Sequence, residues 1–488
     1  MKTFDNKVSG IKVGCALTGA LALVGCSRNK APEAKQTPNV VFILADDLGI
    51  GDITPYGQKL IKTPNLDRMA QEGMRFSQCY AGTAVSAPSR ASLITGCHTG
   101  HTHIRGNMKA DPEGQVPMPE GTYTMAQMFK NAGYATGCFG KWGLGYPGSE
   151  SDPTKVGFDR FYGYNCQTLA HDYYPDHLWD GDKRVEFTEN YDQAENTYSA
   201  DLIHGKALEF IREKGESGEP FFAFLTYTLP HAELVLPKDS VYQSYCEAIP
   251  AEDDQAWHAM NPNARGAYGD TDRPLASFAS MVTRMDSYVG DVMDLLKEMG
   301  IDDNTLEIFT TDNGPHREGG ANPDYFLSYG PYRGIKRDLY EGGIHMPMIA
   351  WQPGTVEPGS VNNHLTAFWD VMPTFAELAG SKDEFVTDGI SFLPSLTKNG
   401  NQKEHDYLYW EFHEGGGKQA LRMGDWKGVR LNVSKPDEQV FELYNLAEDT
   451  HEDNNLASSH PEIVERISFL MDSVRTNSDL FNFHNGER

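Results

Sequence analysis

Basic residues are scarce in this chain: 42 Lys and Arg stand against 69 Asp and Glu in 488 residues, and the formal net charge is −27. A surface of this sign repels polyphosphate at long range, and the sequence has no basic stripe, so nucleic-acid binding is excluded. The seven cysteines form no CxxC pair, which argues against a zinc ribbon and against a dense disulfide framework. With 39% hydrophobic and 11% aromatic residues, the chain can bury large cores, which excludes disorder over most of its length.

The N-terminal apolar run, Val13–Gly25, is shorter than the ~20 residues that a membrane-spanning helix requires. Lysines precede it and Cys26 follows it, which is the pattern of a signal peptide. Its end resembles a bacterial lipoprotein cleavage box, in which the cysteine becomes the lipid-bearing first residue of the mature protein. We therefore predict a lipoprotein signal peptide at 1–25, a membrane anchor through lipid on Cys26, and a flexible tether at 26–37.

Three apolar runs further along the chain end in polar residues, as buried strands of a parallel or mixed sheet do. They are Asn39–Ala45 before Asp46-Asp47, Phe221–Thr226 before Pro230-His231, and Leu306–Thr311 before Asp312-Asn313. Helical patterns lie between them at Asn65–Glu72, Tyr123–Ala132, Tyr198–Glu213 and Ser277–Met299. The alternation predicts an α/β fold, with helices on both faces of the sheet and ligands at the carboxyl ends of its strands.

The pattern changes after about Leu393. Short runs separated by Gly, Asp and Asn turns follow, at Tyr407–Phe412, Gln419–Met423, Trp426–Leu431 and Phe441–Tyr444, and then a helical pattern at Pro461–Val474. Such runs are typical of an antiparallel sheet that carries one helix. We predict a catalytic domain at 38–393 and a smaller C-terminal subdomain of this kind at 394–488.

The stretch Ser86–Gly96 has the features of a short helix whose N-terminus can bind an anion. Pro88 fits the first turn and Gly96 the end, so the free backbone N–H groups converge near Ser86 and attract an anion. Arg90, one helical turn further on, can face the same ligand. Taken alone, a capped surface helix explains the pattern equally well.

This stretch resembles the signature of the sulfatases: Cys or Ser, any residue, Pro, Ser, Arg, and a closing Thr-Gly. In that family the first position is oxidised to formylglycine. Six motifs follow the family's order between Val40 and Pro347: Asp46-Asp47, Ser86–Gly96, Gly140–Gly145, Pro230-His231, Thr311–Gly314, and Lys336 with Tyr340–Ile344. The resemblance implies a sulfuric ester hydrolase with an alkaline-phosphatase-like fold, in which a mixed sheet is sandwiched by helices.

Oxygen donors dominate the predicted metal site. The carboxylates of Asp46, Asp47 and Asp312 and the amide oxygen of Asn313 form a set suited to a hard cation, calcium before magnesium. The resemblance adds the modified Ser86 as a further ligand. A related zinc phosphodiesterase would need a histidine near the second pair, where this chain has Asn313.

The resemblance also implies a mechanism. An aldehyde at position 86 hydrates to a geminal diol, one hydroxyl attacks sulfur in line, and the second oxygen then expels sulfate. Asp312 is implied to be the base and His231 the acid for the departing sugar oxygen. The side chains implied to stabilise charge on the transferring group are Arg90, Lys141 and Lys336.

Three positions depart from the family's commonest pattern. Gly143 stands where many sulfatases have histidine, which leaves the base that triggers sulfate release unassigned. His345 stands where the family often has arginine, and we predict that it contacts the substrate. Ser86 replaces the commoner cysteine, and this serine form is similar to that of anaerobic bacteria, whose maturation enzyme oxidises serine.

Further substrate contacts are predicted at three positions. Gln167 lies where the family often has a polar sulfate contact. His171 and His177 lie in a polar-aromatic loop suited to sugar rings, although packing of a long loop explains them equally well. A second histidine cluster, formed by His98, His101 and His103, lacks a fourth ligand, and we interpret it as loop or substrate contacts and not as a zinc site.

The sequence as a whole predicts an exported, lipid-anchored, calcium-dependent sulfatase at the periplasm or surface of a Gram-negative, glycan-degrading gut bacterium. The predicted substrate is a sulfated galactose or N-acetylgalactosamine of host or algal glycans, and the predicted partner is a formylglycine-generating maturation enzyme. Two alternatives stay open: a phosphoesterase of the alkaline-phosphatase-like fold, and a noncatalytic glycan-binding lipoprotein.

Overall fold

The computed structural model describes residues 37–257, 268 and 271–483, together with Gly10. Apart from Gly10 and Thr37, the predicted signal peptide at 1–25, Cys26 and the predicted tether at 26–37 lie outside the described residues. Within the described part, we find no helix with the length and apolar character that crossing a membrane requires.

The described residues form one large mixed sheet of 11 strands, in the order β10-β2-β9-β8-β1-β7-β3-β4-β5-β6, with β11 paired to β2. Neighbouring strands from β8 to β4 run parallel, whereas β9, β5 and β6 are antiparallel to their neighbours. The strands are β1 Asn39–Ala45, β2 Met74–Tyr80, β3 Ala135–Lys141, β4 Arg160–Tyr164, β5 His177–Asp180, β6 Lys183–Glu186, β7 Phe221–Thr226, β8 Thr305–Thr311, β9 His345–Trp351, β10 Ser360–Asn362 and β11 Thr366–Ala367.

Helices cover both faces of this sheet. They are α1 Pro64–Glu72, α2 Ser86–Thr95, α3 Met125–Asn131, α4 Ser199–Ser217, α5 Ser240–Ala248, α6 Pro274–Met299, α7 Pro323–Phe326, α8 Glu341–Ile344, α9 Val371–Ala379 and α10 Leu393–Thr397. Successive side chains of a strand point to opposite faces, and the central strand β1 is apolar on both. Val41 and Ile43 pack into the core with α1, α4 and α6, while Val40 and Phe42 pack into the core with α2, α3 and α9. The predicted α/β sandwich is confirmed.

A second, antiparallel sheet follows near the C-terminus. Its strands, in spatial order, are β12 Leu408–Phe412, β13 Lys418–Met423, β14 Trp426–Leu431 and β15 Val440–Asn445. Helix α11, Pro461–Ser473, packs Ile467 and Met471 against this sheet. The predicted small sheet with one helix is therefore present, and the boundary between 393 and 394 stays a prediction.

The strand register determines where the site forms. Ala45 at the end of β1 pairs with Thr311 at the end of β8, and the N–H of Asp312 donates to the carbonyl oxygen of Ala45 over 3.1 Å. Because these strands are parallel, the residues after each of them, Asp46 and Asp312, emerge side by side at the carboxyl edge of the sheet.

Candidate active site

Four neighbouring strands deliver polar side chains to this edge. Asp46 and Asp47 follow β1, and Asp312 and Asn313 follow β8. Lys141 is the last residue of β3, and His231 comes shortly after β7. All six side chains are almost fully buried, so their charges interact at short range with little screening by solvent.

Oxygen atoms at the ends of β1 and β8 form a candidate cation site. The Asp47 N–H donates to Oδ1 of Asp312 over 3.1 Å, and Nδ2 of Asn313 donates to Oδ1 of Asp47 over 2.6 Å and to the carbonyl of Gly314 over 3.0 Å. Both amide hydrogens of Asn313 are thereby used. Its Oδ1 is buried and has no hydrogen-bond partner in the described part of the chain. Because an unpaired buried oxygen beside three carboxylates is costly, these residues fit a hard cation.

Helix α2 brings the predicted nucleophile to the same place. The helix starts at Ser86 and ends before Gly96, whose φ of 69° provides the left-handed cap. Oγ of Ser86 donates to Oδ1 of Asp46 over 3.0 Å. One turn on, Arg90 contacts Oδ2 of Asp312 through Nε at 3.0 Å and through a terminal nitrogen at 2.9 Å.

Two lysines complete the group. Nζ of Lys141 lies 2.5 Å from Oδ2 of Asp46, and Nζ of Lys336 lies 2.7 Å from Oδ2 of Asp47. Both side chains are almost fully buried. Buried charges of this kind need partners of opposite sign, and each lysine is paired with a carboxylate. A bound anion would compete with that carboxylate for the lysine, and a bound cation would compete with the lysine for the carboxylate.

The three aspartates differ in charge state. Burial raises the pKa of Asp312 to about 7, and the nearby charge of Asp46 adds to the rise. Burial also acts against the charged form of Asp46 and Asp47. Lys141 and Lys336 outweigh that effect and hold the pKa of Asp46 and of Asp47, respectively, below its usual range. A divalent cation would favour ionisation of all three carboxyl groups at once.

His231 is held by contacts to both ring nitrogens. Nδ1 contacts the carbonyl oxygen of Ala232, while Nε2 lies 3.2 Å from Nζ of Lys336 and 3.3 Å from Oδ2 of Asp47. Burial lowers the pKa of His231 to about 4, and the Lys336 ammonium group contributes to the decrease. The ring is therefore neutral at pH 7 until a nearby negative charge favours its protonated form.

Several residues around His231 were not predicted from the sequence. His316 stacks on one side at 5.6 Å between ring centroids, and Tyr268 lies 6.2 Å away. Glu318 accepts from Nζ of Lys336 over 2.7 Å and from Arg337 over 2.8 Å. Glu318 and His316 follow the Thr311–Gly314 motif closely in the sequence, and this proximity could have marked them as candidate site residues. No motif lies close to Tyr268 in the sequence.

The predicted sugar contacts lie in different surroundings. The His171 ring stacks on His231 at 4.9 Å with 8° between the ring planes, which places it beside the reaction centre. Both ring nitrogens of His177 face carboxylates, Asp176 at 2.5 Å and Glu113 at 3.1 Å. Both nitrogens of His345 are also engaged, with Glu341 and with the Ser77 carbonyl, each at 2.9 Å. Contact of a sugar with a nitrogen of His177 or His345 would require one of these interactions to break.

Gln167 lies against the unusual glycine of the lysine motif. Gly143 has a φ of 74°, and a Cβ there would lie 3.1 Å from Cγ of Gln167. The Gln167 side chain therefore takes the space that a larger residue at 143 would need. Its Nε2 lies 3.5 Å from Oδ1 of Asn107, which also accepts from the N–H of Ala87 beside the nucleophile position.

The histidine cluster outside the site acquires a carboxylate partner. His98 and His101 both approach Asp388, but their rings stack at 4.4 Å with only 23° between planes. One ligand atom from each of the three residues lies within 4.8 Å of the other two, a spacing that a bound metal ion allows. His103 is exposed. The interpretation of this cluster as loop or substrate contacts stays a prediction.

The sequence profile of the family described as Sulfatase matches residues 38–381. The chain belongs to the sulfatase family. A second profile, described as the C-terminal region of N-sulphoglucosamine sulphohydrolase, matches residues 332–477 of this sulfatase. The prediction of a sulfuric ester hydrolase is confirmed.

Named relatives act on sulfated sugars. The sulfatase is 32% identical to N-acetylgalactosamine-6-sulfatase of Rattus norvegicus over 420 residues, which covers 81% of this chain and 72% of that protein. It is 26% identical to N-acetylgalactosamine-6-O-sulfatase of Bacteroides thetaiotaomicron over 519 residues, covering 94% and 98%.

Solved structures are similar to this chain over most of its length. The crystal structure of Ps i-CgsB superposes with a TM-score of 0.74 at 28% identity and covers 92% of this chain and 94% of its own. The same enzyme in complex with k-i-k-neocarrahexaose gives a TM-score of 0.73. The predicted alkaline-phosphatase-like fold is confirmed.

Proposed function

We propose that this sulfatase hydrolyses a sulfate ester on a carbohydrate, with formylglycine made from Ser86 as its nucleophile. The observation that carries the proposal is the position of Ser86. Its Oγ is buried and lies 3.0 Å from Asp46, inside a group of cationic side chains that suits a sulfate. A serine hydroxyl is a weak nucleophile, whereas oxidation by a maturation enzyme removes two hydrogens and leaves an aldehyde that adds water to form a diol.

The surrounding residues have the roles expected for transfer of an anionic group. Arg90, Lys141 and Lys336 hold the sulfate oxygens, and their charge offsets the negative charge of the transition state. Asp312, which a bound cation would keep ionised, takes the proton from the attacking hydroxyl. His231 donates a proton to the departing sugar oxygen. The negative charge of the bound ester favours its protonated form.

Asp46, Asp47, Asp312 and Asn313 hold one calcium ion next to residue 86. Support comes from the all-oxygen donor set and from the unpaired buried Oδ1 of Asn313. When bound, the ion supplies positive charge that lowers the pKa of the nucleophile and stabilises the anionic group.

We propose a sulfated N-acetylgalactosamine or galactose as the substrate, because the named relatives from rat and Bacteroides thetaiotaomicron act on N-acetylgalactosamine 6-sulfate. His171 is the best-placed sugar contact, since its ring stacks on His231. Contacts through Gln167, His177 and His345 stay predictions.

Export and lipid anchoring through Cys26 at the periplasm or cell surface belong to the same proposal. They rest on the lysines, the apolar run and the cysteine of the first 26 residues. Maturation by a formylglycine-generating enzyme follows from the serine at position 86.

Turnover of matched esters tests the proposed function. The matured enzyme is given N-acetylgalactosamine 6-sulfate and N-acetylgalactosamine 6-phosphate, and release of sulfate and phosphate is measured. We expect the sulfate ester to be hydrolysed at least ~100-fold faster. Preference for the phosphate would establish the phosphoesterase alternative, and tight binding of the sulfated sugar without any turnover would establish the noncatalytic one.

Removal of the divalent cation is expected to abolish turnover and lower the unfolding temperature. Calcium should restore both more completely than magnesium, because the donor set is larger than magnesium usually takes from a protein. Asp312 has a folded-state pKa raised to about 7, so the ion-free protein loses stability as the pH rises towards 7 and this group gives up its proton. The increase in unfolding temperature on adding calcium should thus be larger at pH 8 than at pH 5.5. Turnover that persists after chelation would contradict the cation assignment.

A further inference from the structure

A cavity of about 820 Å³ adjoins the reaction centre on the side of His171. His171 forms part of its wall, and the same ring stacks on His231, the proposed donor to the departing alcohol. His171 therefore links the wall of the cavity to the proposed proton donor. Its volume lies within the ~300–1,000 Å³ of typical small-molecule sites, and it has room for a further sugar.

The wall of this cavity is acidic and aromatic. Tyr174 and Tyr191 contribute ring surface of the kind on which sugars pack. Among the described residues that line it there is no lysine or arginine. The carboxylates in the lining are Asp172, Asp176, Asp192, Glu195 and Glu233. Asp176 is partly compensated by His177 at 2.5 Å and by Arg184 at 3.7 Å.

The charge of this wall contrasts with that of the sulfate pocket. There, Arg90, Lys141 and Lys336 favour one anionic group. In the cavity, a second anionic group would lie within a Debye length of several carboxylates, about 8 Å at physiological salt, and would be repelled. An uncharged sugar avoids this repulsion and offers hydroxyl groups to the same carboxylates.

A polar atom beside the cavity also lacks a partner. Nδ1 of His171 is buried and makes no hydrogen bond within the described part of the chain. Native proteins pair most buried polar atoms, so Nδ1 is available for a hydrogen bond that the described residues do not supply. This observation is independent of the charge of the wall.

We propose that the cavity binds the sugar attached to the sulfated unit, and that it accepts an uncharged sugar and rejects one with a carboxylate or second sulfate. The proposal rests on the proposed function and adds the charge of the neighbouring sugar as a determinant of specificity. Four of the five lining carboxylates are exposed, those of Asp172, Asp176, Asp192 and Glu195, and we assign Asp192 and Glu195 as the specificity-determining residues.

Two disaccharides test this proposal. In both, N-acetylgalactosamine 6-sulfate is joined by the same linkage to a second sugar, which is glucose in one and glucuronic acid in the other. At low ionic strength we expect kcat/KM to be about tenfold higher for the glucose compound, a ratio that falls as salt screens the wall. Equal values, or a preference for the glucuronic acid compound, would overturn the proposal.

Two double variants separate the effect of the charge of the wall from the effect of the net charge of the protein. Asp192→Asn with Glu195→Gln keeps the side-chain shapes, and asparagine tolerates the φ of 59° at position 192. In this variant we expect the kcat/KM values for the two disaccharides to differ by no more than about twofold. Glu213→Gln with Glu216→Gln, exposed on α4, changes the net charge equally and should keep the preference for the glucose compound. An unchanged preference in the first variant would also overturn the proposal.

The monosaccharide N-acetylgalactosamine 6-sulfate keeps the two proposals distinguishable. It has no second sugar to enter the cavity, so its hydrolysis by wild type and by both double variants should be equal. Failure of all three proteins to release sulfate from any of the three compounds would contradict the proposed substrate. Sulfate release without discrimination between the disaccharides would contradict only the specificity proposal.

Discussion

Replacing Ser86 with alanine is expected to reduce sulfate release from a sugar sulfate by on the order of 10⁵-fold, the usual size of the loss of a covalent nucleophile. Alanine has no hydroxyl to oxidise, so neither the aldehyde nor its hydrate can form. In the active wild type, the intact mass should show the loss of two hydrogens, located at residue 86 by peptide mapping. Full activity with an unoxidised Ser86 would contradict the formylglycine mechanism.

The fold of this variant should persist. Ser86 loses one hydrogen bond, to Asp46, and the smaller side chain creates little space. The unfolding temperature should therefore change by only a few degrees, and binding of the sulfated sugar should remain measurable by calorimetry. Ser86→Cys is the matched control, since cysteine is the other residue of the family's signature. Activity of the Ser86→Cys variant that appears only when position 86 has been oxidised would tie turnover to the modification.

Replacing His231 with alanine is expected to lower turnover of a sugar sulfate by about 10³-fold, within the range for loss of a general acid. The loss should depend on the leaving group. A sugar alkoxide is a poor leaving group and needs a proton, whereas a nitrophenolate leaves without one. With 4-nitrophenyl sulfate we therefore expect a loss of less than about tenfold, measured as kcat on both substrates for the same enzyme preparation.

A second variant tests whether His316, the histidine stacked on His231, contributes to proton transfer. His316→Phe keeps an aromatic ring against His231 but removes the 3.3 Å contact of Nε2 with the Pro230 carbonyl and the 3.1 Å hydrogen bond that Nδ1 accepts from the Glu318 N–H. We expect a loss of less than about tenfold on both substrates. Equal, large losses on both substrates for His231→Ala would instead assign this residue to positioning and contradict its role as the acid.

The strands that carry the site were predictable because their signal is local. A strand buried on both faces must be apolar throughout, and the runs ending at Ala45, Thr226 and Thr311 coincide with the ends of β1, β7 and β8. Helix ends were less predictable. The pattern at Tyr123–Ala132 extends beyond α3, Met125–Asn131, because Thr124 caps the helix by accepting from the N–H of Gln127.

The sequence by itself determined the fold class, the sulfatase motifs and the types of reactive side chain, since these depend on short-range patterns and on chemistry that few residues possess. Only the tertiary structure decided which further side chains contact these reactive groups. Glu318 contacts Lys336, and His171 and His316 both stack on His231, although the two partners of each contact are far apart in the sequence. The charge of the adjoining cavity likewise depends on which loops pack together. Proximity to a motif in the sequence can mark Glu318 and His316 as candidates, but the side chains that they contact are decided by long-range packing.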